Sequence, residues 1–447
     1  LDTSSSARNR VLWLSTPAFT LLFAVWLMFG VLGLKLKEDT ALMLGASAQG
    51  MTPAEVKTAV ESRFEWLLAV AILAGALPRL AFGIWADAVG GRRLMGGLLL
   101  VCALPTLGVA YAHSYWQLLL CSALFGLAGN AFAVGVSWNS AWFPPERKGT
   151  ALGVFGAGNV GAAGTKLLVV LVPGVLTLVP AAGYWNGWIP GGWRVIPCLY
   201  ALLLVLMAGA ILLFCPSVDR KPGRGRPLPE LLAPLRYVQV WRFSLYYVTV
   251  FGAYVALSGW LPSYYVKTYN VSLPVAALLT SLFIFPASLL RPLGGWLSDL
   301  YGPRTVTYLV LVGMTLATVP LCLPSSLLTL SVSAFTTCIV LVAIGMGIGK
   351  ASVYKYIPNY YPGDVGAVGG LVGMLGALGG FLLPKTFGWL DRETGFPQAA
   401  FLALLLLIVS SLVWLQLAIR TLRVKEQAAS LAGTQSALAS LNTSDAV

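Results

Sequence analysis

Six basic residues, Arg79, Lys166, Arg291, Lys350, Lys355 and Lys385, stand inside long apolar runs. A charged side chain placed so is costly, and it faces a protein interior or a water-filled cavity. The two arginines are related to each other. Arg79-x3-Gly83-x3-Asp87-x2-Gly90-x-Arg92 recurs as Arg291-x3-Gly295-x3-Asp299-x2-Gly302-x-Arg304, every pair 212 residues apart. Arg79 precedes Asp87 by eight residues, a helical rise of roughly 12 Å, too deep for an unstrained reach to the headgroups. The sixteen Asp and Glu residues supply no carboxylate at that depth, since Asp87 and Asp299 fall at helix ends. Two guanidinium groups without countercharge call for an anion, and their planar fork suits an oxyanion bidentately where Lys would not. The residue types point to a small-anion site. Asn159, a lone amide in a glycine-rich run, can add a hydrogen bond to it. No metal or cofactor is expected. The six cysteines lie in or at the ends of apolar stretches without ligand spacing, where buried thiols are the reading.

The elements that hold these residues are membrane spans. Of 447 residues 58% are hydrophobic and 10% charged, with a mean hydropathy of +0.81. A soluble chain carries roughly a quarter charged residues, so a soluble enzyme is excluded. A helix needs about 20 apolar residues to cross a bilayer. Such runs occur at 11–35, 64–87, 93–112, 114–143, 149–180 and 194–216, then at 240–266, 273–300, 305–324, 327–360, 366–390 and 397–421. They are numbered here as spans one to twelve. Their apolar residues are continuous and do not alternate, which excludes a β-barrel. The first run is too long for a signal peptide and lacks a cleavage site.

The spans divide into a six-helix bundle at 1–216, a basic linker at 217–239, a second bundle at 240–425 and a polar tail at 426–447, predicted to fray. Thr52-Pro53-Ala54-Glu55 has the spacing of a capping box. With both termini on one side, sixteen Lys and Arg fall on that side and seven opposite, which predicts cytoplasmic termini in the cytoplasmic membrane. The net charge of +13 thus sets topology and does not point to nucleic acid. A weaker repeat relates Gly149, Gly153 and Gly156 to Gly366, Gly370 and Gly373 at an offset of 217. Two related bundles of this kind predict an all-α transporter with its site between the repeats, near the midplane.

The Gly-x3-Asp-x2-Gly-x-Arg pattern resembles the signature loop of the major facilitator superfamily. The resemblance implies that Asp87, Arg92, Asp299 and Arg304 form a conformational latch between the bundles. The glycine-rich segments at 149–164 and 366–380 resemble the paired signature motifs of its nitrate/nitrite porter family. The segments Phe125 to Phe132 and Tyr246 to Gly252 fit the same family. Membership implies that Arg79 and Arg291 grip nitrate, or nitrite, that Phe132, Tyr247 and Phe251 wall it in, and that Asn159 donates to it. The run Gly345 to Pro358, with Lys350 and Lys355, and Lys166 after the fifth-span motif resemble the proton-coupled branch. Each of these three lysines either carries a proton or only adds positive field. The expected protein is a monomeric carrier in the lipid bilayer that imports nitrate by proton symport, with nitrate/nitrite exchange as the alternative. A sensor would need an output domain, and cation efflux would need buried acids; neither pattern is present.

Overall fold

Thr52 opens the second span as its spacing predicts. The Glu55 amide donates to Thr52 Oγ1, and the Thr52 amide donates to Glu55 Oε2 at 2.7 Å, closing a capping box. Helices satisfy their own backbone groups, which a bilayer demands. The computed structural model describes residues 5–161, 180, 183–184, 187–324, 327–396 and 398–444. Among them the fold is all α, and ten helices are long and apolar enough to cross a membrane. These match spans two to four and six to twelve. The first span is split into Ser5–Trp26 and Phe29–Glu38. The fifth is described only as far as residue 161, so Lys166 lies outside the described residues. Leu104, Trp116, Leu213 and Leu406 are exposed, as side chains facing lipid would be. Within the polar tail, residues 426–444 are helical where the sequence predicts fraying. The helix that begins at Ala399 continues to Ser444, in a segment rich in the strong helix formers Ala, Leu and Gln.

Departures from regular α geometry gather at one depth. The second span changes from Pro53–Ala76 to Arg79–Val89 at Pro78, which has no N–H to give. The eighth changes from Leu273–Leu289 to Arg291–Tyr301 at Leu290. Each arginine therefore opens a new helical segment. The fourth and fifth spans each pass through a 3₁₀ turn, Leu127–Asn130 and Ala157–Val160. The seventh carries a π-turn, Val248–Gly252, a feature often found at functional sites.

Glycine lets the two bundles meet below that depth. A Cβ on Gly83 would overlap the Gly366 carbonyl, and one on Gly295 would overlap the Gly149 carbonyl. Gly83 and Gly295 are related by 212 residues and Gly149 and Gly366 by 217. The contact of spans two and eleven is thus repeated as the contact of spans eight and five. Gly90 and Gly302, at φ 100° and 79°, end the two aspartate-bearing segments in a conformation that other residues rarely adopt.

Candidate functional site

Arg291 is 1% exposed, and its Nε and Nη1 have no hydrogen-bond partner. Its guanidinium lies 5.1 Å from the centroid of the Phe132 ring. Phe132 is nearly parallel to Tyr247 and Phe251, at 6.1 and 6.5 Å and with interplanar angles of 8° and 6°. Those separations sit at the wide end of the range for stacked rings. Tyr247 and Phe251 stack on each other at 4.9 Å, as residues four apart on one helix face can. The Tyr247 hydroxyl is buried beside Arg291 without hydrogen-bond geometry. A flat anion has aromatic faces to lie between here, and free N–H groups to accept from. Unpaired buried donors are rare and costly, so they mark a place for a ligand.

Arg79 is also 1% exposed, but each of its three side-chain nitrogens donates a hydrogen bond. Its Nε donates to the Gly75 carbonyl at 3.2 Å, Nη1 to Gly373 at 2.9 Å and Nη2 to Gly129 at 2.8 Å. Trp26 lies beneath it at 5.3 Å and donates its own Nε1–H to Ala71. The two arginines, alike in the sequence, therefore differ in their partners. Backbone carbonyls take the place of a countercharge at Arg79, and one of them belongs to the opposite bundle.

Asn159 is fully buried, and neither its Nδ2 nor its Oδ1 has a partner. It stands three residues beyond Gly156, where a Cβ would strike the Arg291 guanidinium. Tyr354, which the sequence analysis does not single out, stands edge-on to Phe132 and Tyr247 at 4.8 and 4.7 Å. Its hydroxyl donates to the Gly369 carbonyl. The available signal was its place one helical turn after Lys350.

The lysines separate. Lys350 is fully buried beside the site; its Nζ donates to the Ala287 carbonyl at 3.0 Å and sits 3.1 Å from the Tyr254 ring centroid. Lys355 does not face the aromatic rings. It pairs with Asp299 at 2.6 Å and donates to the Pro145 carbonyl of the opposite bundle. Five residues apart on one helix, the two lysines differ by about 7.5 Å in depth and about 140° around the axis, which sets Lys355 beside Asp299 and away from the aromatic rings.

Asp299 also accepts from the Gly149 and Thr150 amides and from Thr150 Oγ1, at 2.7–2.9 Å. Asp87 accepts from the Gly366 amide at 2.8 Å and from Ser137 Oγ. Each aspartate thus holds the start of a span in the other bundle. Arg92 does not join them; its amide donates to Asp219 and its side chain to the Ser217 and Leu212 carbonyls. Arg304 donates to the Tyr360 hydroxyl of its own bundle.

The sequence matches the model of the Major Facilitator Superfamily over residues 14–384, with a further match over 265–441. It is 50% identical over 440 residues, 95% of each chain, to a protein of Thermus thermophilus named "Probable nitrate/nitrite antiporter NarK1". It is 34% identical over 326 residues to "Probable nitrate/nitrite transporter NarK2" of Mycobacterium tuberculosis, covering 72% of this chain and 78% of that one. The "Nitrite extrusion protein" of Bacillus subtilis is 28% identical over 345 residues, 77% and 82% of the two chains. Among solved structures, the human organic anion transporter MFSD10 superposes with a TM-score of 0.69 at 14% identity, over 91% of this chain and 99% of that one. The proton:xylose symporter XylE gives the same TM-score and identity, over 92% and 96%. Likeness at that identity speaks for the fold alone.

Proposed function

The chain belongs to the major facilitator superfamily and, within it, to the nitrate/nitrite porters, and from that premise we propose that it imports nitrate by proton symport. The observation that carries the reading is Arg291, buried with Nε and Nη1 unpaired against parallel aromatic rings. Nitrate is flat, weakly hydrated and an acceptor on all three oxygens. It enters between Phe132 and the Tyr247–Phe251 pair, takes the free donors of Arg291 and accepts from Asn159. Arg79 closes the site from the other bundle, exchanging its carbonyl partners for the anion. Lys350, and not Lys355, is the proton carrier, since its ammonium shares the dry space around Arg291. Anion and proton entering together leave the charge of the site unchanged. The bundles at 1–216 and 240–425 then rock around the site, and the Asp87 and Asp299 latches open as they do. The carrier works as a monomer, with the linker and both termini on the cytoplasmic side, where the basic residues concentrate.

Counterflow of labelled nitrate in proteoliposomes tests the reading. An inward proton gradient is expected to drive uptake without internal nitrite. Lys350→Gln is expected to abolish that drive while nitrate exchange persists. Nitrate/nitrite exchange is the second reading, favoured by the name of the Thermus relative. Uptake that requires internal nitrite and ignores the proton gradient would establish it over symport.

A further inference from the structure

A second cationic site lies at the linker end of the molecule, outside the anion path. Below the latch is a cavity of about 770 Å³, a volume in the range that holds a ligand of molecular size. Arg92, Arg93 and Lys148 of the first bundle and Arg220, Lys221 and Arg224 of the linker line it, together with Pro362 and Val365 of the second bundle. Asp219 is the lone carboxylate among the lining residues, and its oxygens are already used. They accept from the Trp138 and Trp142 indoles and from the Arg92 and Arg220 amides, at 2.8–3.0 Å. Six cations thus face one carboxylate whose lone pairs are spent on neutral donors.

Two buried groups in the lining point to an absent acceptor. Ser140 is 2% exposed, and its Oγ has no partner. Arg92 Nε is buried without one as well. Lys148 is half-buried; that burial, and then Lys355 and Arg220, push its ammonium below its ordinary range, outweighing Glu146. A phosphate group answers such a cluster with several acceptor oxygens, which guanidinium forks take up bidentately, and with one negative charge as a diester or about two as a monoester.

We propose that this cavity binds a phosphate-bearing anion, either a soluble phosphate compound or the headgroup of an anionic phospholipid, and that occupancy holds the linker end closed. The closing action follows from the lining. Pro362 and Val365 flank Asp364 and Gly366, where the second bundle is held: Gly366 N–H donates to Asp87, and Asp364 pairs with linker Arg226 at 2.7 Å. A ligand touching the linker and both bundles makes these contacts only when the bundles are together, so it shifts the population toward that state.

Calorimetric titration of the full-length protein in a neutral detergent with pyrophosphate tests the site. Saturable binding is expected, weakened at least tenfold by the exposed-face double variant Lys221→Gln/Arg224→Gln, weakened also by Arg93→Gln, and unchanged in Arg291→Lys. Loss of binding in Arg291→Lys would place the anion in the central site and overturn the proposal. Spin labels replacing exposed Trp85 and Tyr301 then report closure in nanodiscs of phosphatidylcholine, with and without phosphatidylglycerol. Closure promoted by pyrophosphate alone assigns a soluble ligand. Closure promoted by phosphatidylglycerol alone, and lost in the double variant, assigns the lipid. No saturable pyrophosphate binding together with no lipid effect, or binding indifferent to the double variant, overturns it.

Discussion

Arg79 and Arg291 occupy equivalent places 212 residues apart, yet their surroundings have diverged. Arg79 has three carbonyl partners and a tryptophan beneath it, whereas Arg291 has an aromatic face and two unpaired nitrogens. The first acts as a strut, since its bond to Gly373 ties the bundles together in this state. The second, on the proposed reading, is the one that meets the anion. Pseudo-symmetry therefore fixes where the charges stand, and the local backbone decides which of them is spent on structure. A carrier needs that difference, because a site with both arginines satisfied would have nothing to gain from binding.

The largest effect should come from breaking the free partner. Arg291→Lys keeps the charge but loses the fork, and truncating a buried, hydrogen-bonded charge contact costs about 2–5 kcal/mol. Nitrate affinity is expected to fall by about thirtyfold or more, with the melting temperature nearly unchanged. Arg79→Lys should lower both quantities, because a net contribution of about 1.5–3 kcal/mol attaches to each hydrogen bond of a charged group. Affinity by calorimetry and unfolding by a thermal shift assay check the pair. Equal melting temperatures in the two variants would dissolve the distinction between strut and ligand-binding arginine.

Next in size are the places where the two halves should behave alike. Gly83→Ala and Gly295→Ala each put a methyl group into a carbonyl oxygen across the interface, so each should prevent closure of the linker end. Transport is expected to fall to background in both, while nitrate still binds the open form. A large difference between the two variants would show that the contacts of spans two with eleven and eight with five are not equivalent in the cycle.

The equivalence of these contacts was legible in the sequence, because a repeat with fixed offset survives as spacing. The capping box at Thr52 and the inward burial of both arginines were legible for similar reasons: each depends on residue type at short range. The satisfaction of Arg79 was not. Its partners are carbonyls of Gly75, Gly129 and Gly373, and every residue has a carbonyl, so side-chain chemistry carries no trace of it. The partner of Lys355 was not legible for a related reason. Its pairing with Asp299 joins residues 56 apart on different spans, and an apolar run alone does not tell which depth of a helix faces which neighbour. The π-turn at Val248–Gly252 also left no mark in the sequence pattern, whereas the shared face of Tyr247 and Phe251, four residues apart, follows from regular helical periodicity.

The latch supplies the finer contrast, since Asp299 relies on Lys355 where Asp87 relies on Ser137. Lys355→Met leaves Asp299 buried without its countercharge, which costs about 3–5 kcal/mol and should move most molecules to the form open at the linker end. Ser137→Ala removes one neutral donor, and Asp87 keeps the Gly366 amide. Here the expected cost is about 1 kcal/mol, or roughly a fivefold shift in the open-to-closed ratio. The Trp85–Tyr301 label pair reads both variants on one distance distribution. If Ser137→Ala opened the molecule as far as Lys355→Met, the two latches would be equal in strength. The ion pair would then be no more than a substitute for the hydroxyl, and the asymmetry between the bundles would be confined to the anion site.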